Sequence, residues 1–329
     1  MPPAPGDLVL DQYRLERPLA SGAMGQVWAA KVNGTKEKVA VKLSFGPGAA
    51  RAQREADALA SLSHSGIVAH VAHGPISPDG FALVMALVDG VPLSKLLKAS
   101  PPDVRGSLQL AAAVADALAH AHERGVVHRD VKASNLLIVR EGKEQRPVLI
   151  DFGIGLVEGY GRVSSGDVVL GSVHTMPPEQ MLGRPSGPRS DLYSLGALLF
   201  RMIAGRYPYH AASQVQVLAM HAHAAIPTLA ERTERPLRVP EPLEPLLRRL
   251  LSKDPDDRLD ALTLGQELRA LADLPERAWV EVTPKLPSTP ALAPAPPPPP
   301  PPPPPSTRLA VGVALLLVAL GLGGLWWLS

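Results

Sequence analysis

The stretch His128-Arg129-Asp130-Val131-Lys132-Ala133-Ser134-Asn135, with Asp151-Phe152-Gly153 downstream, decides the reading of this chain. It sets a carboxylate, an ammonium group and a carboxamide within one short segment. Upstream, Ser107 to Arg124 is an alanine-rich run that predicts a helix, and Gly125 is placed to cap its C-terminus. Val126-Val127 then leads into the polar segment. The charged residues therefore fall in a connection, not inside the helix.

Working outward toward the N-terminus, the first third predicts short strands. Tyr13-Arg14-Leu15 leads into Leu19-Ala20-Ser21-Gly22-Ala23-Met24-Gly25-Gln26-Val27-Trp28, and Lys38-Val39-Ala40-Val41-Lys42-Leu43 alternates as a strand does. A glycine-rich turn lets backbone N–H groups approach phosphates because no Cβ obstructs them. A dinucleotide-binding fold needs a helix after such glycines. Here β-favouring Val27-Trp28 follows, so the loop joins two strands.

On these motifs the chain resembles the bacterial-type (Hanks-type, eukaryotic-like) serine/threonine protein kinases, over about 265 residues in the family's order. The resemblance implies that Asp130 accepts or orients the proton of the attacking hydroxyl. It implies that Lys132 neutralises charge on the transferring phosphoryl group, that Asn135 binds a magnesium ion and that Asp151 binds the magnesium bridging the phosphates. That mixture suits phosphoryl transfer, which is mostly positioning and charge stabilisation. Lysine at position 132 is the serine/threonine form of the loop.

Lys42 matches the strand lysine that holds the α and β phosphates. Glu55, the only Glu in the helical stretch Arg51 to Leu59, is its expected partner. Ala20 stands where the family's first loop glycine belongs, ahead of Gly22 and Gly25, so weaker or altered nucleotide binding is expected. Met85 matches the gatekeeper, with adenine met by backbone groups from Ala86 to Val88. Val27, Ala40 and Leu137 complete the implied ATP-binding set. ATP with Mg2+, or Mn2+ in its place, is the implied cofactor pair.

Between Asp151 and Glu179 lies the implied activation segment, where Pro177-Pro178-Glu179 replaces Ala-Pro-Glu. Ser172 takes the place of the more usual Thr. Arg129 beside Asp130 makes control by loop phosphorylation an expectation, since an arginine can pair with a phosphate. Ser164 and Ser165 are the first candidate acceptors, with Ser172 and Thr175 behind them. Asp191 resembles the aspartate that braces the catalytic loop, and Arg258 is the expected buried partner of Glu179.

The bulk numbers agree with a folded enzyme and exclude several other classes. The chain has 329 residues, 46% of them hydrophobic, so a sizeable core is available. Net charge is +2, from 33 basic against 31 acidic side chains, which argues against a nucleic-acid partner. There are no cysteines, so disulfides and thiolate chemistry are excluded. His64, His70 and His73, like His210, His221 and His223, lack the spacing that completes a structural metal site.

The C-terminal part is different in kind. From about Pro284 the chain is rich in Pro and Ala, ending in Pro296 to Pro305 without interruption. Proline has a fixed φ and no N–H, so this run predicts a stiff polyproline II spacer. Leu309 to Leu328 then contains no charged residue. About twenty apolar residues match a hydrocarbon core of roughly 30 Å, which predicts a membrane span.

The expected architecture is α+β: a bilobal kinase fold, with a β-rich N-lobe and a helical C-lobe, plus one C-terminal transmembrane helix. The expected division is an extension over 1–10, a kinase domain over 11–275, a proline-rich juxtamembrane linker over 276–308 and a transmembrane helix over 309–328. With no secretory leader read at Met1 to Asp7, the kinase domain is expected on the cytoplasmic side of the inner cell membrane, in a single-pass arrangement. Expected partners are protein substrates with Ser or Thr acceptors and the lipid bilayer, with a homodimer open as an arrangement for autophosphorylation. A membrane-tethered pseudokinase is the competing reading, and Ala20 is its only support in the sequence.

Overall fold

The structure, a computed structural model, describes residues 3–22, 25–142, 144–152 and 173–285. The predicted span 309–328, the proline run and Ser164, Ser165 and Ser172 lie outside the described residues.

The N-terminal lobe is an antiparallel sheet of six strands in the order β1-β2-β3-β4-β6-β5. These are β1 (Leu8–Val9), β2 (Tyr13–Gly22), β3 (Gly25–Val32), β4 (Lys38–Phe45), β5 (His70–Ser77) and β6 (Gly80–Ala86). The period of two in β4 sorts its side chains between two cores. Val39, Val41 and Leu43 join Tyr13, Leu15 and Trp28 on one face, while Ala40 joins the main core on the other. Lys42 follows Ala40 by two and shares its face. Register shifts in β2 fall at Leu15/Arg17 and Pro18/Ala20, where Pro18 supplies no N–H to the ladder.

Helix α1 (Pro47–Ala60) starts with proline in its first turn, where the missing N–H costs nothing. Ala52, Glu55, Ala56 and Leu59 are its buried residues, an i, i+3, i+4, i+7 stripe. Burying Leu59 contributes roughly 2 kcal/mol. Glu55 therefore sits on the face that packs inward, which is what makes a carboxylate there notable.

A three-stranded sheet, β7 (Val91–Pro92), β8 (Leu136–Glu141) and β9 (Glu144–Leu149), borders the helical lobe. That lobe contains α2 (Leu93–Ala99), α3 (Val104–His122), α4 (Pro178–Met181), α5 (Pro188–Ala204), α6 (Gln214–His223), α7 (Leu229–Arg232), α8 (Leu243–Leu250) and α9 (Ala261–Asp273). Helix α3 begins earlier than its alanine run because Asp103 accepts a hydrogen bond from the Gly106 N–H at 2.7 Å. It is followed by Gly125 at φ 72°, the left-handed conformation that glycine adopts freely. Helix α5 is buried along nearly its whole length. A Cβ at Gly196 would lie 2.7 Å from Leu250 Cβ, so glycine permits the close packing of α5 on α8.

Both ends of the domain reach past the boundaries that composition indicates. Leu8 and Val9 pair with Arg14 and Tyr13, and Val9 is buried, so residues 8–9 belong to the sheet, not to an extension. Residues 276–285, expected in the linker, are folded. Strand β11 (Trp279–Val282) pairs antiparallel with β10 (Leu237–Pro240), and the Lys285 N–H bonds the Ala230 carbonyl at 2.7 Å. Arg105 lies over the buried Trp279 ring at 4.9 Å and also bonds carbonyls of Ala272 and Leu274. Trp279 supplies the apolar anchor that the proline-rich composition around it conceals.

Candidate active site

Strand β4 and helix α1 together place one cation against two acids. Lys42 Nζ donates to Glu55 Oε1 and Oε2 at 2.9 and 2.8 Å, and to Asp151 Oδ1 at 2.9 Å. Burial works to lower the Lys42 pKa, but the Asp151 and Glu55 carboxylates outweigh it and hold it above its ordinary value. Burial likewise works to raise Asp151, and Lys42 reverses this, keeping Asp151 below the usual carboxylate range. Lys42 and Glu55 are both buried, whereas the Asp151 side chain keeps 41% of its surface exposed. The backbone of Asp151 is left-handed at φ 55°, a conformation that costs a non-glycine residue on the order of 1–3 kcal/mol.

The loop after α3 forms a second cluster. Lys132 Nζ donates to Asp130 Oδ2 at 2.6 Å. Asn135, in a short 3₁₀ turn over Ala133–Asn135, donates its carboxamide N–H to the Asp130 carbonyl at 3.0 Å and to Asp130 Oδ2 at 3.1 Å. With its nitrogen committed to Asp130, Asn135 keeps its Oδ1 as the acceptor end.

Asp191, fully buried at the start of α5, holds this loop in shape. Its carboxylate accepts from the backbone N–H of His128 at 2.8 Å, from that of Arg129 at 2.7 Å, and from His122 Nε2 at 2.8 Å. Arg129 has φ 66°, so these bonds fix a strained turn immediately before Asp130. His128 is buried against Phe152, with ring centroids 4.6 Å apart, and burial lowers its pKa. His122 was not among the residues singled out from sequence, because nothing in a helical run marks a partner 69 positions away.

Below the site, Arg258 donates to Glu179 at 2.7 and 3.0 Å, and Ser190 Oγ donates to the same carboxylate at 2.6 Å. Burial works to raise Glu179, but the bonds from Arg258 and Ser190 leave it below its ordinary value. Ser194 Oγ bonds the Thr175 carbonyl at 2.7 Å, and Thr175 is buried at 3% exposure. Of the hydroxyls read as acceptors, Thr175 is thus closed to an incoming phosphate donor in this conformation.

Val27, Ala40, Met85 and Val88 pack on one apolar cluster, with Ala40 paired to Met85 and Val27 to Lys42 across the ladders. Leu137 is half-buried beside Gly90, where a Cβ would come within 3.1 Å of Leu137 Cβ. Gly22 pairs with Gly25 at the end of the β2–β3 hairpin, and Ala20 is exposed opposite Val27. Gly25 is required by the fold itself: its φ is 122°, and a Cβ there would meet the Leu43 carbonyl oxygen. Among the described residues, nothing lies within 4 Å of where a Cβ at Gly22 would stand.

A strand lysine bonded to a helix glutamate, a braced Asp-Lys-Asn loop and a second aspartate on the same cation are thus brought together in one domain with a β-rich and a helical lobe. Residues 13–267 match the protein kinase domain family, and the chain belongs to that family. Among bacterial serine/threonine members, it is 36% identical over 281 residues to the serine/threonine-protein kinase PkaA of Streptomyces coelicolor, covering 80% of this chain and 50% of that protein. It is 36% identical over 301 residues to the serine/threonine-protein kinase pkn2 of Myxococcus xanthus, covering 88% of this chain and 36% of that one. It is 34% identical over 280 residues to PknF of Mycobacterium tuberculosis, covering 79% and 57%. The chain thus spans about half the length, or less, of the first two relatives.

Proposed function

We propose that this chain is a serine/threonine protein kinase that moves the γ-phosphoryl group of ATP to Ser or Thr hydroxyls of proteins, itself included. The observation that carries the reading is the pair of neighbouring clusters, Glu55–Lys42–Asp151 and Lys132–Asp130–Asn135, with the Lys132 charge felt at Asp151.

The acceptor hydroxyl is oriented by the Asp130 carboxylate, which takes its proton as the new O–P bond forms and the bond to the departing ADP breaks. Lys132, beside Asp130, sets a positive charge where charge collects on the transferring group. Lys42 serves the α and β phosphates, and Glu55 holds it at that height in the cleft. Asn135 and Asp151 present oxygen donors, the kind that Mg2+ or Mn2+ takes, and these two residues would hold the ion. When bound, such an ion would supply positive charge to offset that of the phosphates. Val27, Ala40, Met85, Val88 and Leu137 would enclose the adenine, with Ala20, Gly22 and Gly25 over the phosphates.

The test is transfer of label from ATP by the full chain in the presence of magnesium, compared with Asp130→Asn. Labelling of generic Ser/Thr substrates and of the chain itself by the wild type alone supports the reading. Equal labelling by both would remove it. We also propose that Leu309 to Leu328 anchors the chain in the inner membrane with the kinase domain in the cytoplasm, on the strength of their uncharged composition. Recovery of the full chain in the soluble fraction after cell lysis would overturn that part.

A further inference from the structure

Helix α1 is gripped from two sides. On one, Lys42 binds Glu55. On the other, His73 Nε2 of β5 lies 3.4 Å from Asp57 Oδ1. Two helical steps of about 100° each separate Asp57 from Glu55, so the acids stand on opposite flanks of one turn. The His73 ring stacks on Phe81 of β6, with centroids 5.9 Å apart, and its Nδ1 lies 2.8 Å from His70 Nε2. His70 pairs across the ladder with Met85.

The surrounding titratable groups are few. His70 borders a recess of about 370 Å³ that Ser63, His64 and Ser65 also line. His64 faces His120 of α3 with centroids 5.3 Å apart, and the charges near His120 are Arg124 and Glu123. Asp57 is the acid turned toward the imidazole pair.

Two neutral imidazoles joined by one hydrogen bond carry two ring protons, one of them in the shared bond. One further proton fits, because a cationic His73 can donate from Nδ1 to a neutral His70 and from Nε2 to Asp57. Protonation of both rings would set N–H against N–H and open the contact. We propose that His73 is a positioning residue that, as the sole cation of the pair, clasps α1 through Asp57 and so steadies Glu55 and Lys42. Its meaning for catalysis rests on the kinase reading above. Asp57 lies against the His73 end of the pair, so the charge belongs on His73; burial, and then the charge on His73, lower the His70 pKa. The clasp therefore tightens as pH first falls and loosens when His70 also takes a proton.

Amide hydrogen exchange over Pro47–Ala60 in the full chain, corrected for intrinsic rates and referred to α5, tests this without needing activity. Between about pH 8 and about pH 6, protection of α1 in the wild type should rise about two- to fivefold, the scale of an exposed ion pair. KM for ATP should fall over the same interval with kcat less affected. Asp57→Asn and His73→Gln should abolish both trends, and the exposed Asp57 position tolerates its isosteric change. A flat wild-type profile, or a wild-type rise surviving in Asp57→Asn, overturns the clasp and leaves the kinase reading intact. The expected protection profile in a chain that transfers no label overturns the kinase reading and leaves the clasp.

Discussion

Two buried ion pairs frame the catalytic loop, and they are built to opposite rules. At Glu179–Arg258, one guanidinium meets one carboxylate through two hydrogen bonds, Ser190 adds a third, and both side chains are sealed from solvent. In the cleft, Lys42 is divided between Glu55 and Asp151, and Asp151 stays partly exposed. Among the described residues, one cation meets one carboxylate in the first, whereas two carboxylates share Lys42 in the second. A saturated pair can only hold the fold together. The second, with Asp151 partly exposed, is the one where the proposed divalent ion would be met.

The largest effect that would sharpen this contrast is at the loop between the pairs. Asp130→Asn should lower phosphoryl transfer by about 10²–10⁴-fold, the worth of a positioned base, while the melting temperature barely moves. Labelling rate and calorimetry on one preparation check both halves. Arg258→Ala should do the reverse. It strands a buried carboxylate and should cost about 3–5 kcal/mol of stability in denaturant unfolding.

The same pair carries a pH signature. Because Glu179 titrates below its ordinary 4.5 in the fold, its contribution is present above that pH and is lost as pH falls further. Acid unfolding of Arg258→Ala should therefore lack this component, and the gap between variant and wild type should narrow with acidification. A gap that stayed constant from neutrality to low pH would break the assignment of that carboxylate.

Trp279→Ala offers a control remote from both pairs. It should cost about 3 kcal/mol by cavity formation, measured by denaturant titration, with KM for ATP unchanged. The smallest effect belongs to Ala20→Gly. Removing one exposed methyl should shift KM for ATP by about two- to threefold and leave stability within about 1 kcal/mol, since backbone freedom also rises. Steady-state kinetics at varied ATP decides it.

Much of the site was legible where short motifs carry their chemistry in residue type. Lys42, Asp130, Lys132, Asn135 and Asp151 each stand out by charge at a recognisable place, and Glu55 by being the lone glutamate of its helix stretch. The brace around Asp191 was legible only in outline. His122 enters it through a side-chain contact between segments far apart in the chain, which one sequence does not encode locally. The left-handed backbone at Arg129 and Asp151 was hidden because arginine has no preference for positive φ and aspartate only a weak one, too small to mark a position. The tertiary environment imposes it. Residues 276–285 are hidden in the sequence for a compositional reason: a four-residue strand beside a proline-rich run leaves too short a periodic signal to separate it from the linker.

That strand also fixes how force would enter the domain. A pull on the chain beyond Lys285 meets first the bond from the Lys285 N–H to Ala230 and the Lys285–Glu231 contact. Next comes the ladder, starting at the Val282–Leu237 pair, and last Trp279 under Arg105. Load would thus be spent on α7 and β10 before it reached α9, leaving the helices that carry the catalytic loop mechanically upstream of the first bonds to break.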